Sequence, residues 1–107
     1  MLPEYIGKNR YICSVKSDID LDKLEKISRA LGDPYRVQIL NAIRNMPDGV
    51  TCNEMVEIFN LAQSTVSHHL KQLVEADLLL FEKEGRFSRY FINRKTFGEY
   101  AKQLKGF

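Results

Sequence analysis

Apolar residues recur along this chain at two spacings, and each change of spacing marks a change of element. Between Asp20 and Gly32 the stripe Leu24, Ile27 and Leu31 follows the helical period; Asp20 supplies a capping acceptor, and Gly32 predicts the stop as a C-terminal glycine. Asp33 followed by Pro34 opens a second helix, because proline at the first helical position lacks an N–H that would have no partner there anyway. Val37, Ile39, Leu40, Ala42, Ile43 and Met46 make this helix apolar nearly all round, which predicts the buried centre of the domain.

MPDGV reads as a turn, and TCNE as a capping box in which Thr51 accepts from the backbone at Glu54 while Glu54 reaches back. A short helix burying Met55, Val56 and Phe59 follows. Asn60 closes it, since asparagine tolerates the left-handed conformation, and a new helical pattern starts at Gln63 or Ser64. Two short helices joined so tightly predict a helix-turn-helix. After Asp77 the stretch LLLFEKEGRFSRYFI is aromatic and branched, broken by Gly85-Arg86, which suits a type II′ hairpin turn. That turn sets Glu84 opposite Phe87, Glu82 opposite Arg89 and Leu80 opposite Phe91, with an opposite-charge pair across the ladder. A last helix carries Phe97, Tyr100, Ala101 and Leu104 on one stripe. The result is a mainly α fold with one β-hairpin, five helices in the order α-α-α-α-β-β-α. It occupies residues 18–107 behind an extension over 1–17, where Tyr5, Ile6, Tyr11, Ile12 and Val15 are too apolar for a solvated tail.

Composition narrows the class. With 107 residues and 44% apolar content, the chain suits one compact domain with a modest core, which a partner chain would help to bury. It has no apolar run long enough to span a bilayer and no signal-peptide pattern, so a cytoplasmic protein without a membrane partner is expected. Two cysteines, Cys13 and Cys52, are too few and too unpatterned for a disulfide framework. The net charge of +2 decides little, but Lys83, Arg86, Arg89, Arg94 and Lys95 cluster against Glu84 alone.

On a helical wheel, the segment from Ser64 to Asp77 buries Val66, Leu70, Leu73 and Val74 and turns Thr65, His68 and Gln72 outward, flanked by Ser64 and Lys71. Such an uncharged, hydrogen-bonding face suits base edges in a major groove, and the positive end of the helix at Gln63, Ser64 and Thr65 suits phosphate. Chelation by His68 and His69 is disfavoured, because neighbouring helical positions diverge by about 100° and helical zinc ligands sit at i, i+4. His69 is expected to flank the core, satisfied by a local carbonyl, and His68 to contact nucleic acid.

The stretches LGDPYRVQIL, TCNEMVEIFNLAQSTVSHHLKQLVEADLL and KEGRFSRYFI resemble the arsenic-repressor (ArsR) family of winged helix-turn-helix regulators, over roughly residues 20–105. The resemblance implies a cytoplasmic homodimer on an inverted-repeat operator in double-stranded DNA, released by an inducer that the sequence does not identify. It places recognition at Gln63, Ser64, Thr65, Ser67 and His68, and the wing contacts at Arg86 and Arg89. Relatives often carry serine where this chain has Ala62, so the helix cap is expected to shift to Ser64.

Metal-sensing relatives carry two cysteines one residue apart where this chain has Thr51, Cys52 and Asn53, or ligands along the last helix, where it offers Glu99 alone. No metal and no cofactor is therefore expected. Cys52 at a helix start, where the dipole lowers a thiol pKa, could form a thiol switch with Cys13. Leu24, Ile27 and Leu31 together with Phe97, Tyr100, Ala101 and Leu104 are expected to form a dimer interface. The competing reading is a winged-helix module for a protein or RNA partner. Catalysis is not expected: there is no phosphate-cradling glycine loop, no paired carboxylates in an evident cleft and no cysteine–histidine pair placed by motif.

Overall fold

The computed structural model describes residues 19–107; the extension, its boundary and Cys13 lie outside the described residues. The elements are α1 (Leu21–Ala30), α2 (Pro34–Ile43), β1 (Val50–Thr51), α3 (Cys52–Phe59), α4 (Gln63–Glu75), β2 (Leu79–Glu84), β3 (Phe87–Ile92) and α5 (Arg94–Lys105). The five helices fall where the pattern put them. One strand, β1, was not anticipated: two residues carry no periodicity, and pairing with β3 across the chain creates them.

Local chemistry sets most boundaries. Asp20 accepts from the Lys23 N–H at 2.8 Å, and Asp33 accepts from Tyr35 and Arg36. Gly32, however, does not end α1 through a left-handed turn, since only Gly49 and Gly85 among the described glycines have positive φ. The stop comes instead from Asp33, held extended at φ −118° and ψ 127° by the proline that follows it. The Thr51–Glu54 capping box is complete, with bonds of 2.8 and 3.2 Å, and Asn60 is left-handed at φ 53°.

The sheet order is β1-β3-β2, all antiparallel. The hairpin register is the expected one, Glu84 to Phe87, Glu82 to Arg89 and Leu80 to Phe91. Gly85 has φ +60° while Arg86 does not turn positive, as a type II′ turn requires. Gly49 is needed where it stands: its φ is +83°, and an added Cβ would lie 2.6 Å from the Phe91 ring.

Ile27, Ile39, Ile43, Met55, Leu70, Leu73 and Leu78 form the fully buried core between α1, α2 and the helix-turn-helix. Each such side chain contributes about 1.5–3 kcal/mol by leaving water. α2 is not buried all round, because Val37 and Tyr35, on different sides of the helix, remain 46% and 45% exposed. At the α4–β2 junction, Asp77 is left-handed at φ 65° and its carboxylate accepts from Lys23 Nζ at 2.9 Å, Thr96 Oγ1 at 3.0 Å and Asn93 Nδ2 at 3.1 Å. One side chain so ties α1 and the start of α5 to the end of α4. The Lys23 ammonium, more than Thr96 and Asn93, holds the Asp77 carboxyl below the usual carboxylate range against partial burial.

Candidate nucleic-acid interface

α4 begins where the backbone leaves the left-handed Asn60, two residues before the cap position. That cap is Ala62, which has no side-chain bond to give, and Ser64 does not take over: the helix starts at Gln63 ahead of it. The N-terminal N–H groups of α4 therefore have no capping side chain, the arrangement that leaves a helix end open to an anion.

The face of α4 divides cleanly. Val66, Leu70 and Leu73 are fully buried, Gln63, Ser64, Thr65, Ser67, His68 and Lys71 are exposed, and Gln72 is half-buried. Packing the apolar stripe on the core thereby presents the polar stripe outward. His68 and His69 end in opposite environments: His68 is exposed, whereas His69 is 8% exposed with its ring stacked on Tyr35 at 6.1 Å. The local carbonyl expected for His69 is not there, since its Nδ1 is buried without a hydrogen-bond partner. Burial lowers the His69 pKa and Arg36 and His68 add to this, while the Asp33 carboxylate opposes it.

The wing folds back toward the two helix starts. Gln63 and Ser67 of α4, Cys52 and Asn53 of α3, and Arg86 with Ser88 of the hairpin line one cleft of about 250 Å³. Sequence reasoning missed Asn53 and Ser88, whose only signal was polarity at the start of α3 and along β3. Arg86 is exposed at the tip and makes no ion pair among the described residues.

Arg89 is placed differently from the expectation. Its guanidinium donates to Glu84 Oε1 at 3.2 Å and to the Gly49 carbonyl at 3.4 Å, and lies 4.0 Å from Glu54 Oε1. Glu82 is opposite Arg89 in register, but the ion pair forms with Glu84, on the side where Glu54 and the Gly49 carbonyl also gather. Arg89 is thus a tie between wing and body rather than a free cation.

The dimer stripes are also corrected in part. Leu24 and Ile27 are 9% and 0% exposed and spend their surface on the chain's own core; Leu31, Phe97 and Tyr100 are half-buried, and only Ala101 and Leu104 are exposed. Tyr100 reaches Ser28 of α1 through a 2.9 Å hydroxyl contact. Leu21 at 66% and Phe107 at 85% are exposed as well.

Burial pushes the Cys52 thiol up, opposite to the lowering expected of a helix start. Among the described residues no group of three or more His, Cys, Asp or Glu could hold a metal ion, and no described helix is long and apolar enough to cross a membrane.

Comparison with known proteins agrees with this geometry. A helix-turn-helix domain family matches residues 31–80. The arsenical resistance operon repressor of Bacillus subtilis is 36% identical over 78 residues, 73% of this chain and 72% of that protein. An ArsR-like transcriptional regulator from Rhodococcus superposes with a TM-score of 0.71 at 21% identity, covering 78% of this chain and 77% of that one. The homodimeric winged helix-turn-helix DNA-binding domain from Mycobacterium bovis does so at 0.65 and 20%, covering 80% of each. With the helix pair, the wing and a relative of this identity across most of both proteins, the chain belongs to the ArsR family of winged helix-turn-helix DNA-binding transcriptional regulators.

Proposed function

We propose that this regulator is a cytoplasmic, non-enzymatic homodimeric repressor that reads an inverted-repeat operator and is released by an effector. The observation that carries the reading is the cleft that brings Gln63, Ser67 and Arg86 together beside the exposed Thr65 and His68. Base-edge readers on α4 and a phosphate-seeking guanidinium on the wing then face one duplex. Lys71 and Gln72, a turn further along, continue toward the backbone. The exposed apolar residues at the end of α5, Ala101 and Leu104, supply the two-fold contact, which sets two copies of α4 about 34 Å apart, one DNA turn. Relatives named as repressors and a homodimeric structural neighbour support the same assembly.

Selection of bound duplexes from a random pool tests this. The wild-type protein should return a two-fold symmetric site, and His68→Ala should return a site with one relaxed position in each half. A pool without enrichment overturns the reading. Uniform weakening across all sequences by His68→Ala removes that residue from base recognition.

A further inference from the structure

A second cavity, of about 630 Å³, runs between α2, the end of β3 and the start of α5, and shares no lining residue with the cleft of α4 and the wing. Val37, Leu40, Ile92 and Phe97 give it apolar walls, and Arg44 and Arg94 stand in the same lining. Its size is that of small-molecule sites, typically about 300–1,000 Å³, and an apolar interior with a few polar groups is their usual chemistry. Val37 points to an occupant: the aliphatic side chains Ile39, Leu40 and Ile43 of the same helix are buried, yet Val37 is 46% exposed and lines this groove.

The two arginines decide what kind of occupant fits. Neither Arg44 nor Arg94 makes an ion pair among the described residues, although Arg29, Arg36 and Arg89 each have a carboxylate partner. Two uncompensated guanidinium groups beside apolar walls repel a cation, leave a neutral hydrocarbon without any electrostatic gain, and hold a carboxylate through charge-assisted hydrogen bonds. We propose that this groove binds an amphipathic monocarboxylate, with its apolar body along Val37, Leu40, Ile92 and Phe97 and its carboxylate between Arg44 and Arg94.

A consequence for DNA rests on the repressor reading above. The groove's walls belong partly to α2 and β3, in the body that carries α4, and partly to α5, which carries Ala101 and Leu104. A ligand that bridges them binds one angle between body and α5 better than another, and in a two-fold dimer that angle sets the separation of the two α4 helices. With the ligand as the releasing effector of that reading, its binding lowers operator affinity.

Calorimetry on the full chain without DNA tests the site independently of the repressor reading, with octanoate as probe and octanol and octylamine as neutral and cationic counterparts. Octanoate should bind once per chain, octylamine should not, and the Arg44→Ala, Arg94→Ala double variant should weaken octanoate by about tenfold or more, the worth of one charge-assisted bond. Val37→Trp should fill the groove and abolish binding. Equal binding of all three probes, or unchanged binding in either variant, overturns the proposal. So does a shift of Val37→Trp from dimer to monomer in sedimentation, which would assign the groove to a second copy of the chain. Octanoate binding without any loss of duplex affinity in fluorescence anisotropy overturns the regulatory step and leaves the site standing.

Discussion

The exposed faces of α4 and α5 are built from opposite materials on the same core. α4 presents hydroxyls, amides and an imidazole at Gln63 to His68, whereas the end of α5 presents Ala101, Leu104 and, past its last turn, Phe107. Hydrogen-bonding groups that already enjoy water gain little from a partner unless it offers matched donors and acceptors, so the first face discriminates. Apolar groups gain from any dry contact, so the second face adheres. The proposed function thus assigns reading to one face and association to the other, and substitutions should separate them.

The largest expected effect ignores the distinction. Leu73→Ala removes a fully buried side chain beneath α4 and should cost about 2–5 kcal/mol in denaturant unfolding, with both faces lost together. A smaller loss, with DNA binding kept, would mean that α4 does not depend on the shared core. Next, Leu104→Glu alters a residue that is 46% exposed, so the fold should survive while dimer dissociation measured by sedimentation strengthens by about tenfold or more. An unchanged dimer would show that α5 is not the adhesive face. Arg86→Ala should leave dimer and fold alone, weaken all duplexes alike, and lower the slope of log affinity against log salt by about one. Arg89→Ala should instead lower stability, by no more than about 1 kcal/mol given its part-exposed ion pairs, with a smaller change in slope.

The smallest effect contrasts the adjacent histidines. Burial lowers the folded-state pKa of His69 below its ordinary 6.5, so the unfolded chain binds the extra proton first. The contribution is fully present above that unfolded value and is lost as pH falls through the window down to the folded pKa. Thermal unfolding across that window should therefore show declining stability in the wild type and a flatter profile in His69→Gln. A profile unchanged by the substitution would mean that the His69 ring is solvated.

How much of this could be read in the chain depended on how local each cause was. The Thr51 capping box, the Asn60 turn, the Asp33–Pro34 start and the hairpin register rest on neighbouring residues and were legible at once. β1, the Arg89 tie and the Asp77 knot depend on residues brought together from far apart, and no spacing announces them. Leu24 and Ile27 were read as interface because an apolar stripe says only that it must be covered. Their own chain covers them. The polar face of α4 was legible for the complementary reason: once the buried stripe is known, what remains must meet solvent or a partner.

The middle position of β3 in its three-stranded sheet has one more implication. A hairpin paired only with itself would flap, but here the rear edge of the wing is stitched to Val50 and Thr51, immediately ahead of the first turn of α3. If the proposed interface holds, Arg86 and Gln63 would work as the fixed jaws of a caliper. A duplex whose groove has the wrong width at that point would then be turned away on dimensions alone, before a single base is inspected.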